Sequence, residues 1–341
     1  MKHELLTSWL LTAMVKVMWR RGVGALFAIA GLFAHQSAWA QYPTKPVHIV
    51  VPYSAGGAVD AFARILSQRL SESWGQQVIV DNRPGASTMI GAEQVAKAPA
   101  DGYTLLLTAE LTLVTVPHLH EKIPYDPLKD FAPITALVSA TQALVVNPSL
   151  PVKTVSDLVA LAKSKPGELT YGSFGIGSTG HLNMELLQTA TGARFSHIPY
   201  NGAGPAMTDV IGGHIDFMFA ALSIVQGNVK AGKLRMIGVG SDHRSSEFPE
   251  VPTISESGAP GFEAKSWFGL VAPAGTPPDI IKKINQDVTK VLTDKAFAKD
   301  YLAAQGLEPI LTTPEQFSAF MRSETIKWGK VVKDAKIAVT K

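Results

Sequence analysis

Val47-His48-Ile49-Val50-Val51-Pro52-Tyr53-Ser54-Ala55-Gly56-Gly57-Ala58-Val59-Asp60 is the stretch on which the reading of the fold turns. Four of its first five residues are apolar and β-branched, so Val47–Val51 reads as a buried strand. Proline ends that run and small residues make a loop. Beyond it, Ala58–Trp74 carries Phe62, Ile65, Leu66 and Leu70 at helical spacing. The unit then repeats: Val78–Asp81 is expected as strand, Met89–Ala98 as helix and Tyr103–Thr108 as strand. A βαβαβ beginning of this kind implies a parallel sheet with helices on both sides.

Outward from there the alternation continues. Ala143–Val146, Leu169–Tyr171, Phe195–Ile198, Ile215–Phe219 and Leu234–Val239 read as strands, and Val155–Ser164, Thr179–Thr191 and Gly204–Ile211 as helices. Ser266–Ala272 is expected as strand, and Asp279–Thr293 and Pro314–Asp334 as helices. One βα series, a second, and a return to helices predict an α/β protein of two lobes with two crossovers, near Ala140 and Ser266. Residues 41–140 with 266–341 would form one lobe and 141–265 the other. Ligands of open α/β sheets bind beyond the carboxyl ends of the strands, so two facing sets of loops predict a single cleft.

Composition agrees with two ordinary globular domains: 341 residues, 46% hydrophobic and 17% charged. The net charge of +3 resides in residues 1–40, where Lys2, Lys16, Arg20 and Arg21 oppose Glu4. The rest is balanced and gives no electrostatic basis for nucleic-acid binding. Cysteine is absent, which removes disulfides, thiol nucleophiles and thiolate zinc sites. The beginning of the chain reads as a secretory signal. Arg20-Arg21 form its basic part, Val23–Phe33 its apolar part, and Ala38-Trp39-Ala40 a small-x-small cleavage site before Gln41. The apolar run is about half of the roughly 20 residues a membrane span needs. Translation could start at Met14 or Met18, and Arg20-Arg21 leave twin-arginine export open. Export from the cytoplasm, with cleavage after Ala40, is the expectation.

Three loops have the composition of ligand cradles. The first is Tyr53-Ser54-Ala55-Gly56-Gly57, before a helix start whose unpaired N–H groups favour anions. Asp60, in the first turn, would repel an anion and is read as holding that loop, though it belongs to the candidate set. The second loop, Tyr171–His181, contains Ser173, Gly175, Gly177, Ser178, Thr179 and His181. Its glycines spell G-x-G-x-x-G, but the next strand ends in Pro199-Tyr200 with no acid for a ribose, which argues against a dinucleotide. The third is Tyr200-Asn201-Gly202-Ala203, which runs into Gly204-Pro205 at a helix start. None of the three contains Lys or Arg, so an anion there must be held by backbone N–H groups, hydroxyls and helix ends, at about 1.5–3 kcal/mol per charge-assisted bond.

Catalytic patterns are weak. Ser173 lacks the G-x-S-x-G elbow, and the nine histidines form no H-E-x-x-H pair. His48, His197 and His214 lie in or beside strand patterns, where a structural role is the ordinary one. A secreted serine hydrolase using Ser173 or Ser178 would still need a base and an orienting acid.

At these loops the chain resembles the receptors of tripartite tricarboxylate transporters, the Bug-type periplasmic binding proteins. The resemblance rests on Pro52–Asp60, Asp81-Asn82-Arg83-Pro84-Gly85-Ala86, Pro99–Leu105, Pro124–Pro127, Lys129–Phe131, Val146–Ser149, Tyr171–Leu182, Pro199–Gly202 and Ala272–Pro277. It implies a two-lobe Venus-flytrap fold of the type II periplasmic class, no enzyme activity and no cofactor. A ligand carboxylate would be held by Ser173–Thr179, with waters linking it to Ser54–Gly57. It further implies a di- or tricarboxylate, acidic amino acid or aromatic acid as ligand, and a two-subunit membrane permease as partner. A membrane histidine kinase is the alternative partner, and the receptor itself is expected as a monomer.

Two departures from the family pattern lie beside the expected cleft. Ser87-Thr88-Met89 stand where the family is glycine-rich, and Glu110 follows the third strand where small or hydroxyl residues are usual. Glu110 is either a solvated or loop-capping acid, or it faces the far end of the ligand. In the second case it would oppose another carboxylate and favour an ammonium, a hydroxyl or a protonated ring nitrogen.

Overall fold

The computed structural model describes residues 42–200 and 202–337; the expected leader and its cleavage site lie outside them. Residues 1–44 and 45–341 form separate units. Of the first, Tyr42–Thr44 are described and include a cis Tyr42–Pro43 peptide. Everything below concerns the second.

Its strands are β1 (Val47–Val51), β2 (Val78–Asn82), β3 (Thr104–Ala109), β4 (Phe131–Val146), β5 (Thr170–Ser173), β6 (Ser196–Pro199), β7 (Phe217–Ala221), β8 (Arg235–Val239), β9 (Lys265–Pro273) and β10 (Leu307–Pro309). They run in the order β2-β1-β3-β9-β4-β7-β5-β6, with β8 and β10 also pairing β4. The principal helices are α1 (Ala58–Trp74), α2 (Met89–Ala96), α3 (Val116–Leu119), α4 (Val155–Ser164), α5 (Thr179–Thr191), α6 (Ala203–Gly212), α7 (Leu222–Lys230), α8 (Pro278–Leu292) and α9 (Pro314–Asp334).

The expected parallel sheet is present in two parts, β2-β1-β3 and β7-β5-β6. Two long antiparallel strands join them. β4 pairs β9 from Phe131 to Thr141, then pairs β7 and β8 from Gln142 to Val146. Only its last four residues were legible as strand. Register shifts near Pro133 and Ala136 interrupt its first part, which lets one strand serve two differently oriented sheets. Helix α7 is a further element that its mixed sequence, with Gly227 inside, did not announce.

The core lies on both faces of each sheet half. Helix α8 turns Ile281, Ile284, Val288 and Leu292 inward, at intervals of three and four residues. Helix α9 does the same with Phe317, Met321, Glu324, Trp328 and Val332, after a capping box formed by Thr313 and Gln316. Glu324 is tolerated inside because two indoles satisfy it: Trp267 Nε1 at 3.1 Å and Trp328 Nε1 at 3.0 Å. Leu182 of α5 packs into this same cluster with Leu113, Leu119, Met321 and Trp328. The second half of the protein therefore rests on the first through an apolar seam, each buried side chain contributing about 1.5–3 kcal/mol.

Candidate functional site

The loop after β1 is exposed from Ser54 to Gly57. Gly56 has φ of +85°, which glycine adopts freely, and Gly57 occupies the N-cap of α1 without a side-chain cap. Asp60 stabilises the turn from the third helical position. Its Oδ2 accepts from Gly56 N (2.8 Å) and Arg64 Nε (3.1 Å), and its Oδ1 from Asn82 Nδ2 (2.9 Å). Asn82 also donates to the Tyr53 carbonyl (3.1 Å). Asp60 thus faces the loop's underside, and its oxygens are committed there rather than to the cleft. Burial alone would raise its pKa, but Arg64, the Gly56 amide and Asn82 together hold it below the usual aspartate range.

Tyr53 is half-buried, with its hydroxyl 3.4 Å from Thr112 Oγ1 and 3.5 Å from Thr108 Oγ1. Thr108 and Thr112 bond each other at 2.5 Å, and Thr112 donates to Thr88 Oγ1 at 2.9 Å. Burial pushes the Tyr53 pKa up to about 12, so it stays a neutral donor. All three threonines are buried. The segment that delivers Thr88 takes a costly path: Ala86, Ser87 and Thr88 have φ of +46°, +52° and +77° in succession. Non-glycine residues pay about 1–2 kcal/mol each for such a conformation. The backbone here keeps a left-handed course that glycine would follow more cheaply.

Glu110, directly after β3, is 1% exposed. Its Oε1 accepts from Thr179 Oγ1 (2.5 Å), and its Oε2 from Ser266 Oγ (2.5 Å) and Trp267 N (3.3 Å). Burial raises its pKa, against the pull of these donors, and no cation among the described residues bonds it. The expectation of an unpaired or solvated carboxylate is therefore corrected: Glu110 is enclosed and hydrogen-bonded, and it ties β3 to the start of α5.

The second loop is built differently. His181 and His197 stack with ring centroids 4.0 Å apart, and Tyr171 stacks on His197 at 4.8 Å. The Gly177 amide donates to His181 Nδ1 (2.9 Å), and Ser173 Oγ lies 2.6 Å from His197 Nε2. Ser173, fully buried, also contacts the Gly175 carbonyl (3.0 Å). Burial lowers the pKa of His181 to about 3 and of His197 to about 4, so both rings are neutral bases near pH 7. Ser178 caps α5 by accepting from His181 N at 3.5 Å. Ser173 and the Gly177 amide, expected as direct anion donors, are thus engaged beneath the loop in this state.

Tyr200 N donates to Ser173 O (3.0 Å), which sets the third loop beside the second. The Tyr200 hydroxyl donates to Asp209 (2.6 Å), and burial pushes its pKa up to about 12. Gly202, with φ of +110°, is the N-cap of α6, and Ala203 begins that helix; nothing crowds Gly202. Asn201 lies outside the described residues. Sequence reading placed Thr88 beside the cleft and gave His197 a structural role, but it missed Thr108, Thr112 and Ser266 as parts of this constellation. Isolated hydroxyls in strand ends carry no sequence signature. The interval of four between Thr108 and Thr112, flanking Glu110, was the one available hint.

Chemically the constellation offers neutral donors. Ser173 and His197 have the spacing of a nucleophile and its base. However, Ser173 is sealed from solvent, and no carboxylate bonds His197 among the described residues. Among those residues, no group of His, Asp or Glu could hold a metal ion, and no helix is long and apolar enough to cross a membrane.

Two α/β halves share long strands, and loops from β1, β3, β5 and β6 are linked in one chain of contacts, the arrangement of a two-lobe α/β protein. Residues 62–337 match the family described as tripartite tricarboxylate transporter family receptor. Protein BugT of Bordetella pertussis is 39% identical over 313 residues, covering 92% of this chain and 95% of that one. An R. palustris protein solved with adipate superposes with a TM-score of 0.83 at 37% identity, covering 87% of this chain and 99% of that one. MatC of Rhodopseudomonas palustris, solved with malate, gives 0.77 at 29% identity, covering 85% and 100%. The chain belongs to the tripartite tricarboxylate transporter receptor family, whose members are periplasmic binding proteins.

Proposed function

We propose that this protein is an exported receptor that captures a small carboxylate between its lobes and delivers it to a two-subunit membrane permease. The observation that carries this reading is the start of α5. There, Ser178 and Thr179 open a 13-residue helix opposite Glu110, with hydroxyl and amide donors and no lysine or arginine in the loop. Relatives solved with adipate and with malate support a carboxylate as ligand.

In this reading Tyr53, Ser54, Ala55, Gly56 and Gly57 of the first lobe approach the ligand, directly or through water. Ser178, Thr179, Gly202 and Ala203 approach it from the second. Ser173, Gly175, Gly177, His181 and Tyr200 hold those donors in place, as Asp60 does for the first loop. The lobes comprise 41–140 with 266–341, and 141–265. The receptor is a monomer that binds and releases its ligand unchanged, in the periplasm, after removal of residues 1–40.

Native mass spectrometry of gently purified protein, followed by calorimetry with the acid it retains, tests the proposal. The expected result is a retained organic acid with a dissociation constant in the micromolar range, about 8 kcal/mol. Retention of a cation, a nucleotide or a neutral sugar, with no acid binding in calorimetry, overturns it.

A further inference from the structure

We infer that Glu110 narrows the ligand to acids bearing an ammonium or hydroxyl group on the carbon next to the carboxylate, an α-amino or α-hydroxy acid. This inference rests on the carboxylate-receptor reading above. Its starting point is the 2.5 Å bond from Thr179 Oγ1 to Glu110 Oε1, which joins the opening residue of α5 to the end of β3. Thr179 is a donor in the loop proposed to take the ligand carboxylate. Glu110, a carboxylate itself, fills that place in the structure.

A ligand carboxylate that claims the Thr179 hydroxyl removes the donor from Glu110 Oε1. Glu110 is 1% exposed, so water does not replace the donor easily. Oε2 is unaffected, because Ser266 Oγ and Trp267 N remain on it. Two carboxylates would then face each other in an enclosed space without a neighbouring cation, and like charges there repel strongly. A plain mono- or dicarboxylate meets this obstacle unless Glu110 takes up a proton as the ligand binds.

An acid with a donor on its α-carbon resolves it. Inserted between the two residues, its carboxylate accepts from Thr179 while its ammonium or hydroxyl donates to Glu110 Oε1. Every polar group is again paired, and an ammonium neutralises the buried charge. The lobes part to admit it and close again on both contacts. The neighbouring wall favours a compact acid: a Cβ placed on Gly177 would fall 2.0 Å from Leu119 Cδ1, so the first lobe already presses on this loop.

Calorimetry on the full protein with three matched pairs tests the inference: malate against succinate, glutamate against glutarate, lactate against propionate. In at least one pair the α-substituted member should bind tenfold or more tightly. Glu110→Gln should shrink the glutamate preference at least tenfold and the hydroxy-acid preference less, since the amide oxygen still accepts. Thr179→Val should weaken both members of a pair and leave their ratio standing. If acids bind wild type with ratios near or below one, the inference is overturned and the carboxylate reading stands. Ratios unmoved by Glu110→Gln have the same consequence. If no acid of the six binds, the inference is overturned, and the acid retained in native mass spectrometry decides the carboxylate reading separately. Should Glu110→Gln fail to fold, the wild-type ratios and Thr179→Val still decide.

Discussion

The two loops that open α1 and α5 share a plan and differ in what holds them. Both leave a parallel strand, pass through small residues and enter a helix. Beneath the first lies an ionic clamp of Asp60, Arg64 and Asn82, and its Ser54–Gly57 backbone stands in solvent. Beneath the second lies a neutral stack of His181 and His197, and the loop itself is pressed by Leu119. A fixed charge under the second loop would act on any anion brought to the start of α5. Neutral imidazoles fix the backbone and leave the potential at the start of α5 to Glu110. The first loop, one step removed in the proposed site, tolerates charges that cancel within their own network.

The sharpest way to break the comparison is to add one carbon to each loop. Gly177 and Gly56 both have positive φ, +76° and +85°. Only Gly177 has a wall, Leu119 Cδ1 at 2.0 Å from a built Cβ, whereas Gly56 has nothing within 4 Å. Gly56→Ala should cost about 1–2 kcal/mol, the conformational penalty alone. Gly177→Ala should cost roughly 2–5 kcal/mol, because overpacking against Leu119 adds to it. Denaturant unfolding of the two variants measures the difference. Equal losses would mean that Leu119 swings aside and that the seam is loose there.

Acid should separate the loops next. His181 and His197 have folded pKa values of about 3 and about 4, below the 6.5 of the unfolded imidazole. The unfolded chain therefore binds more protons than the folded one below pH 6.5, and stability falls as pH drops from 6.5 toward 4. Asp60 has the opposite chemistry and a lower window. Its folded pKa is depressed, so its contribution is complete above 3.8 and is lost only as pH falls through the depressed value. Hydrogen exchange at pH 7 and pH 5, corrected for intrinsic rates, should show Gly177 losing protection while Gly56 keeps it. His197→Asn should flatten the decline in thermal stability between pH 6.5 and 4, and Asp60→Asn should leave that slope as it is. A decline shared equally by both amides would mean that global unfolding, not the histidine stack, governs the second loop.

The same contrast bears on what could be read in advance. Both loops were legible because small residues between an apolar strand and an amphipathic helix have one common reading. The supports were not. Asp60 could be assigned to loop holding because a carboxylate in the first helical turn bonds free N–H groups nearby and would repel an anion. His197 is 24 residues from Ser173, and Ser266 is 156 residues from Glu110. Such pairings exist only once the sheet is assembled. In the fold, strands with β-branched runs such as Val47–Val51 stood out. The first eleven residues of β4, with Pro133, Ala132, Ala136 and Ser139, did not, because their strand character comes from pairing with β9 rather than from propensity. Residues 111–119 form a π turn and the short α3, and their apolar residues, broken by Thr112, Thr115, Pro117 and His118, follow no period that could be read.

The smallest expected effect concerns the caps. Ser178 accepts from His181 N at 3.5 Å, a long bond, so Ser178→Ala should cost about 0.5–1 kcal/mol. Gly57, the N-cap of α1, has φ −81° and ψ 170°, values that serine adopts readily. A Cβ there meets only Ser54 O at 3.8 Å. Gly57→Ser should therefore stabilise the protein by a few tenths of a kcal/mol, since its hydroxyl can accept from the amides of Val59 or Asp60. If the exposed donors of the first loop serve a ligand or its water shell, that gain comes with weaker binding, because the new hydroxyl takes up a free N–H and intrudes on the loop's surface. Thermal unfolding and calorimetry on one variant separate the two effects. A higher midpoint with reduced affinity would show that the first helix is left uncapped for function. A higher midpoint with unchanged affinity would make the uncapped turn incidental and place recognition on the second loop alone.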